Sequence, residues 1–85
     1  MEINPLYYEL PARIQLVNLG KNRIGISKVI KSRIIRKDAA KIVAMASQIK
    51  EVNPELEVSL ICSRNICSKS LISLKNEGIE IEYID

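Results

Sequence analysis

Between positions 35 and 52 the apolar residues recur every third or fourth place: Ile35, Ala39, Ile42, Val43, Ala46 and Ile49, with Lys37, Lys41, Gln48 and Glu51 on the opposite side. That is the period of an amphipathic helix, predicted over residues 38–51. Asp38 in its first turn suits the positive end of the helix dipole, and Asn53-Pro54 ends it. Ala39, Ala40, Ala44 and Ala46 are small enough to let it lie close against a sheet.

The flanking stretches change period. Residues 13–20 (RIQLVNLG) alternate, with Ile14, Leu16 and Asn18 on one face and Val17 and Leu19 on the other. Residues 23–31 (RIGISKVIK) carry β-branched Ile24, Ile26 and Ile30. The intervening Gly20-Lys21-Asn22 tolerates positive φ, so a β-hairpin is expected, with Gly25 marking a bulge or the close approach of another backbone. Residues 56–63 (LEVSLICS) read as a strand whose apolar centre suits an interior position covered on both faces. Ser68 is the expected N-cap of a helix over residues 69–77, with Gly78 at its C′ position. In the last stretch Ile79, Ile81 and Tyr83 face one way and Glu80, Glu82 and Ile84 the other. Residues 1–12, with two prolines, read as an extended arm or single turn. The order is therefore ββαβαβ. The expectation is one small α/β domain over residues 13–85: a mixed four-stranded sheet with two helices, an antiparallel hairpin and right-handed parallel crossovers.

At 85 residues the chain has room for one modest core. No apolar run approaches the length of a membrane span, and the first residues lack the pattern of a signal peptide, so a cytoplasmic protein without membrane contact is expected. Fifteen isoleucines, abundant Lys and Glu and no Trp, Phe or His match the bias of an archaeal thermophile, which genome base composition also produces. Cys62 and Cys67 are spaced unlike a zinc-binding or thioredoxin-type pair. They read as semi-buried thiols near a strand end, with a disulfide left open.

Charge divides the chain. Residues 1–41 hold nine Lys or Arg and three acids, whereas residues 42–85 hold four and seven, and no acid occurs from Arg13 to Lys37. Arg13, Lys21, Arg23, Lys28, Lys31, Arg33, Arg36 and Lys37 thus accumulate on the hairpin and the helix entry. Closely spaced cations without intervening acids sum their fields and suit a phosphate backbone; the alternative is a solvated hairpin that keeps a small protein soluble. Few side chains suited to base edges accompany them, so DNA or RNA would be bound without sequence specificity. Tyr7 and Tyr8 are candidate partner contacts, by stacking on bases or filling a partner's pocket, or else fold back over the core.

No histidine is available as a base, and no GxSxG, P-loop or dinucleotide fingerprint occurs. Ser27, Ser32, Ser63 and Ser68 have no identifiable activating partner. Glu80, Glu82 and Asp85 are the carboxylates to consider for Mg²⁺, although on a last strand such residues keep an edge soluble. No cofactor is expected.

The hairpin leading into Val29-Ile30-Lys31-Ser32, the helix near Lys37-Asp38-Ala39-Ala40, the strand Val58-Ser59-Leu60-Ile61 and the ending with Asn76-Glu77-Gly78-Ile79 resemble the later part of the PD-(D/E)xK nuclease-like fold, the restriction-endonuclease and Holliday-junction-resolvase group. In that family an acid on one hairpin strand and an E-x-K on the next bind Mg²⁺ and orient the attacking water. Lys31 falls at the family's lysine, but Val29 stands where the glutamate belongs and the preceding strand offers Asn18 instead of an acid. A hard cation wants oxygen ligands. The resemblance therefore implies a shortened, inactive relative that either keeps a basic nucleic-acid surface or acts as an accessory subunit.

The expected function is non-catalytic nucleic-acid association through phosphates. The alternative is a protein-interaction module, an accessory subunit or homodimer with an acidic or apolar partner. A third reading, a divergent metal-dependent nuclease, requires Mg²⁺-stimulated cleavage lost on Lys31→Ala.

Overall fold

The computed structural model describes residues 2–29 and 31–84; the expected strand position of Ile30 and the carboxylate of Asp85 lie outside them. The predicted elements follow in the predicted order: strands β2 (Gln15–Gly20), β3 (Arg23–Ser27), β4 (Glu57–Cys62) and β5 (Glu80–Tyr83), with helices α1 (Arg36–Val52) and α2 (Ser68–Asn76) in the two crossovers. The arm contributes a two-residue strand β1 (Glu2–Ile3), and the sheet runs β1-β2-β3-β4-β5. β1, β2 and β3 pair antiparallel, while β3, β4 and β5 are parallel.

The β2–β3 turn has the chemistry its residues allow. Gly20 (φ 101°) and Asn22 (φ 57°) take left-handed backbone, and the Asn18 side chain accepts a 2.8 Å hydrogen bond from Gly20 N–H. β3 stops at Ser27 rather than at residue 31. Lys28 N–H still reaches the Ile61 carbonyl at 2.8 Å, but β4 ends one residue after that partner, and the chain turns away to start α1.

Two right-handed crossovers that step the same way along a sheet put both helices on the same face. The register agrees. Ile24 pairs with Val58, Ile26 with Leu60, and Leu60 with Ile81, so these side chains share the helix-covered face. Against them lie Ala39, Ile42, Ala46 and Ile49 of α1 and Leu74 of α2, all buried. Ala40 and Ala44 are exposed, so two of the four alanines, not all, allow the close approach. The helices lie on β3, β4 and β5, which leaves Leu16 of β2 to be covered by the arm. A 3-10 turn, Pro5–Tyr8, capped by Asn4, carries Tyr8 and Leu10 into the core.

The other face of the sheet carries no helix, so β4 is interior in the sheet but not covered by elements on both sides. Its residues close over one another. A Cβ on Gly25 would lie 2.6 Å from Ile61 Cδ1 and 3.1 Å from Leu19 Cδ1. Gly25 therefore marks the close approach of a side chain, not of a backbone, and no bulge interrupts its pairing with Val17 and Ser59. α2 begins at Ser68, with Cys67 in place of Ser68 as its N-cap, the Cys67 sulfur accepting from Ser70 N–H. It ends as expected: Gly78 (φ 77°) donates to the Lys75 carbonyl and Ile79 to that of Leu74, the paired bonds of a Schellman motif.

Candidate functional site

In a parallel sheet with helical crossovers, every strand-to-helix connection emerges at the same end. Here those connections are residues 28–35 and 63–67, and they are tied together. Ile34 and Ile66 form a parallel bridge, Ile34 N–H donates to the Asn65 carbonyl (2.8 Å) and Cys67 N–H to the Ile34 carbonyl (3.0 Å). The Asn65 amide also donates to the Ser32 carbonyl at 2.6 Å. The rim at the carboxyl ends of β3, β4 and β5 is thus two short loops zipped side by side.

Six of the eight expected cations gather there. Lys28, Lys31 and Arg33 lie on the first loop, and Arg36 and Lys37 open α1. Arg13 joins them because β2 runs antiparallel to β3; it lines a hollow with Lys28 and Val29. The parallel topology adds two cations that lay in the acidic half of the sequence, Arg64 on the second loop and Lys69 in the first turn of α2. Arg36 and Lys69 line one hollow. The expectation of parallel strands already contained this signal, since it returns residues 63–69 to the end where 28–37 lie.

Two cations of the expected set do not belong to this end. Lys21 sits at the tip of the hairpin, at the opposite end of the sheet. Arg23 crosses the helix-free face, where its Nη2 lies 3.1 Å from Glu80 and 3.5 Å from Glu82 and donates to Ser59 Oγ at 3.4 Å. That explains how Ser59 is buried on a face without a helix. It also corrects the reading of Arg23 as a phosphate contact; Glu80 and Glu82 lie on the edge strand, both held by the Arg23 guanidinium. Lys28 is at the right end but is engaged, with Nζ 3.6 Å from Asp38.

Arg13, Lys31, Arg33, Arg36, Lys37 and Lys69 are exposed, and none makes an ion pair among the described residues. Of the described carboxylates towards this end, Glu82 is turned to Arg23, and Asp38, beside Lys28, uses its other oxygen to accept from Ile35 N–H at 3.1 Å, closing the first turn of α1. Five acids lie at the other end, Glu51 in the last turn of α1, Glu55 and Glu57 at the entry to β4, Glu77 after α2 and Glu80 at the start of β5, interleaved there with Lys21, Lys50 and Lys75. Charge therefore separates along the strand axis. The helix dipoles add to it, because both helices start at the cationic end.

Comparison with protein-family models, curated proteins and solved structures returned no match. Function must therefore be read from the chain's own chemistry.

Cys67 belongs to this end. Its thiol pKa is held below the usual value, chiefly by its contact with Ser70 Oγ (2.9 Å), then by Ser70 N–H, with smaller help from Lys69 N–H and the Arg33 charge. Cys62 is buried on β4 and Cys67 is half-buried, and the two are not joined by a disulfide. Tyr7 and Tyr8 pack edge to face, their ring centroids 4.9 Å apart. Tyr8 is buried, which raises its pKa, the more so beside Tyr7, and it lines a hollow with Gly20, Asn22 and Arg23 by the hairpin tip. Of the two roles open to the tyrosines, Tyr8 takes the one that folds back over the core, while Tyr7 stays exposed, stacked on it. Among the described residues no group of three His, Cys, Asp or Glu comes together as a metal site would require, and no helix is long and apolar enough to cross a membrane.

Proposed function

We propose that this protein binds nucleic acid through the phosphate backbone, without cutting it, at the end of the sheet where α1 and α2 begin. The observation that carries the reading is the exposed set Arg13, Lys31, Arg33, Arg36, Lys37 and Lys69, unaccompanied by a partnering carboxylate among the described residues. A surface charged merely for solubility interleaves its signs. Here the far end does interleave them, with Lys21, Lys50 and Lys75 among its acids, whereas the helix-start end carries a large excess of cations.

The arrangement also acts against the free protein. Arg36, Lys37 and Lys69 lie in first turns of helices, where a cation adds to the positive end of the dipole at a cost of roughly 0.3–1 kcal/mol each. An anion reverses that cost. A molecule of 29 × 23 × 23 Å presents an end wide enough for about six successive phosphates of one strand, which are spaced about 3.4 Å along a duplex axis. Few groups for reading base edges stand among these cations, so affinity would come from counterion release and depend little on sequence.

Fluorescence anisotropy with a labelled oligonucleotide tests this. With six contacts, log K should fall against log salt with a slope of about −4 to −5. Arg33→Gln should weaken binding several-fold and reduce the slope by about 1. Arg23→Gln should leave affinity unchanged. A salt-independent affinity, or equal losses from the two variants, contradicts the proposal.

Self-association is the second reading. The half-buried Val17, Leu19 and Ile61 on the helix-free face favour it, and the Arg23–Glu80–Glu82 cluster on the same face opposes it. Sedimentation equilibrium decides: a monomer at all concentrations removes it.

A further inference from the structure

The cationic end is not purely polar. Val29 (54% exposed) and Ile35 (49%) stand on the first loop, and Tyr83 and Ile84 (56%) close β5 at the same end, Ile84 N–H donating to the Cys62 carbonyl. The Arg64 guanidinium lies over the Tyr83 ring, 4.8 Å from its centroid. Along the outer side of α2, from Lys69 near its start to Asn76 at its end, Lys69, Ile72, Ser73 and Asn76 line with Arg36 of α1 an open hollow of about 300 Å³, and Ile72 is among the most exposed apolar side chains of the protein. Cations, apolar walls and neutral hydrogen-bonding groups are therefore interspersed from the cationic end along the outer side of α2.

A duplex has little use for this combination. Its outer surface offers phosphate and sugar, against which an isoleucine gains nothing, and its bases are reached only by an element that enters a groove. Among the described residues no such element projects here, and the Ile34–Ile66 bridge ties the two loops side by side. A single strand offers both halves of the match: a charged backbone, and unstacked bases whose faces are apolar and stack on tyrosine rings and guanidinium planes. An anionic lipid surface would also take cations and apolar groups. However, α1 and α2 turn their apolar stripes into the core, so neither is available to lie in a membrane interface.

We propose that the cationic end takes single-stranded nucleic acid in preference to duplex, with one base stacking at the Arg64–Tyr83 pair and another against Ile72 in the hollow between Arg36 and Lys69. This rests on the phosphate-binding reading and adds the polymer's strandedness. The test uses the full chain, a labelled oligothymidine about 15 nucleotides long, a duplex of the same length and phosphatidylserine vesicles. The single strand should bind about tenfold tighter than the duplex. Tyr83→Ala and Ile72→Ser should each lower single-strand affinity by about tenfold, with the salt slope and duplex binding unchanged, and Tyr83→Phe should restore it. Thermal melts of each variant check that the fold persists. Duplex binding as tight as single-strand binding, or both affinities untouched by the two substitutions, overturns this inference and leaves phosphate binding standing. Binding of the vesicles with neither oligonucleotide bound overturns both.

Discussion

Gly25 shows how much one missing side chain decides. Across the sheet it is paired with Val17 and Ser59, yet the space above it belongs to Ile61 and Leu19. Gly25→Ala should destabilise by about 1 kcal/mol, the low end of overpacking costs, because the atom met first is the tip of a half-buried side chain. Ile61→Val removes that tip. In urea unfolding, Gly25→Ala should therefore cost clearly less in the Ile61→Val background than alone; simple additivity would show that the two positions do not meet. The sequence singled out Gly25 but not what lay over it, since a strand pattern says nothing of which neighbour's side chain crosses. Arg23 is the corresponding case for charge. Its place among eight cations was legible, while its pairing with Glu80 and Glu82 spans 57 and 59 positions and appears only once β3, β4 and β5 are aligned.

At the level of elements most of the architecture was legible. The change from alternation to a period of 3.6, the Gly20–Asn22 turn and the Gly78 stop depend on local chemistry, and each is where its residues imply. Boundaries moved for two reasons: β3 stops where its ladder with β4 ends, at Ser27 opposite Ile61, and α1 starts at Arg36 because the Asp38 carboxylate, three residues on, reaches back to Ile35 N–H. The cations in the first turns of α1 and α2 are the local choice that conflicts with its element. Lys37→Gln should raise the melting temperature by about 2–5 °C at low salt, from roughly 0.3–1 kcal/mol of relieved dipole repulsion, and the gain should shrink at high salt. The same substitution should weaken oligonucleotide binding. A variant less stable than the parent would mean that Lys37 makes a stabilising interaction and is not held there at a cost.

For the whole molecule the decisive property is the direction of charge, which a division of the sequence into a basic and an acidic half captured only in part. Topology re-sorts the residues: Arg64 and Lys69 come from the acidic half to the cationic end, and Lys21 and Arg23 leave it. Parallel pairing made that foreseeable for the loops, whereas the antiparallel hairpin alone decides that Arg13 stays and Lys21 goes. Among the described residues, the ion pairs of Arg23 with Glu80 and Glu82 and of Lys28 with Asp38 are partly exposed and contribute little to stability, so the separation of charge is not a by-product of these pairs holding the fold together. The most direct measurement is a residue-resolved one: ¹H–¹⁵N correlation spectra recorded while a short oligothymidine is added at low salt. Amides of residues 28–37 and 63–69 should shift together and saturably, with those of 20–23 and 50–57 unmoved. Shifts centred on the hairpin tip or the acidic end, or none at all, would contradict the account.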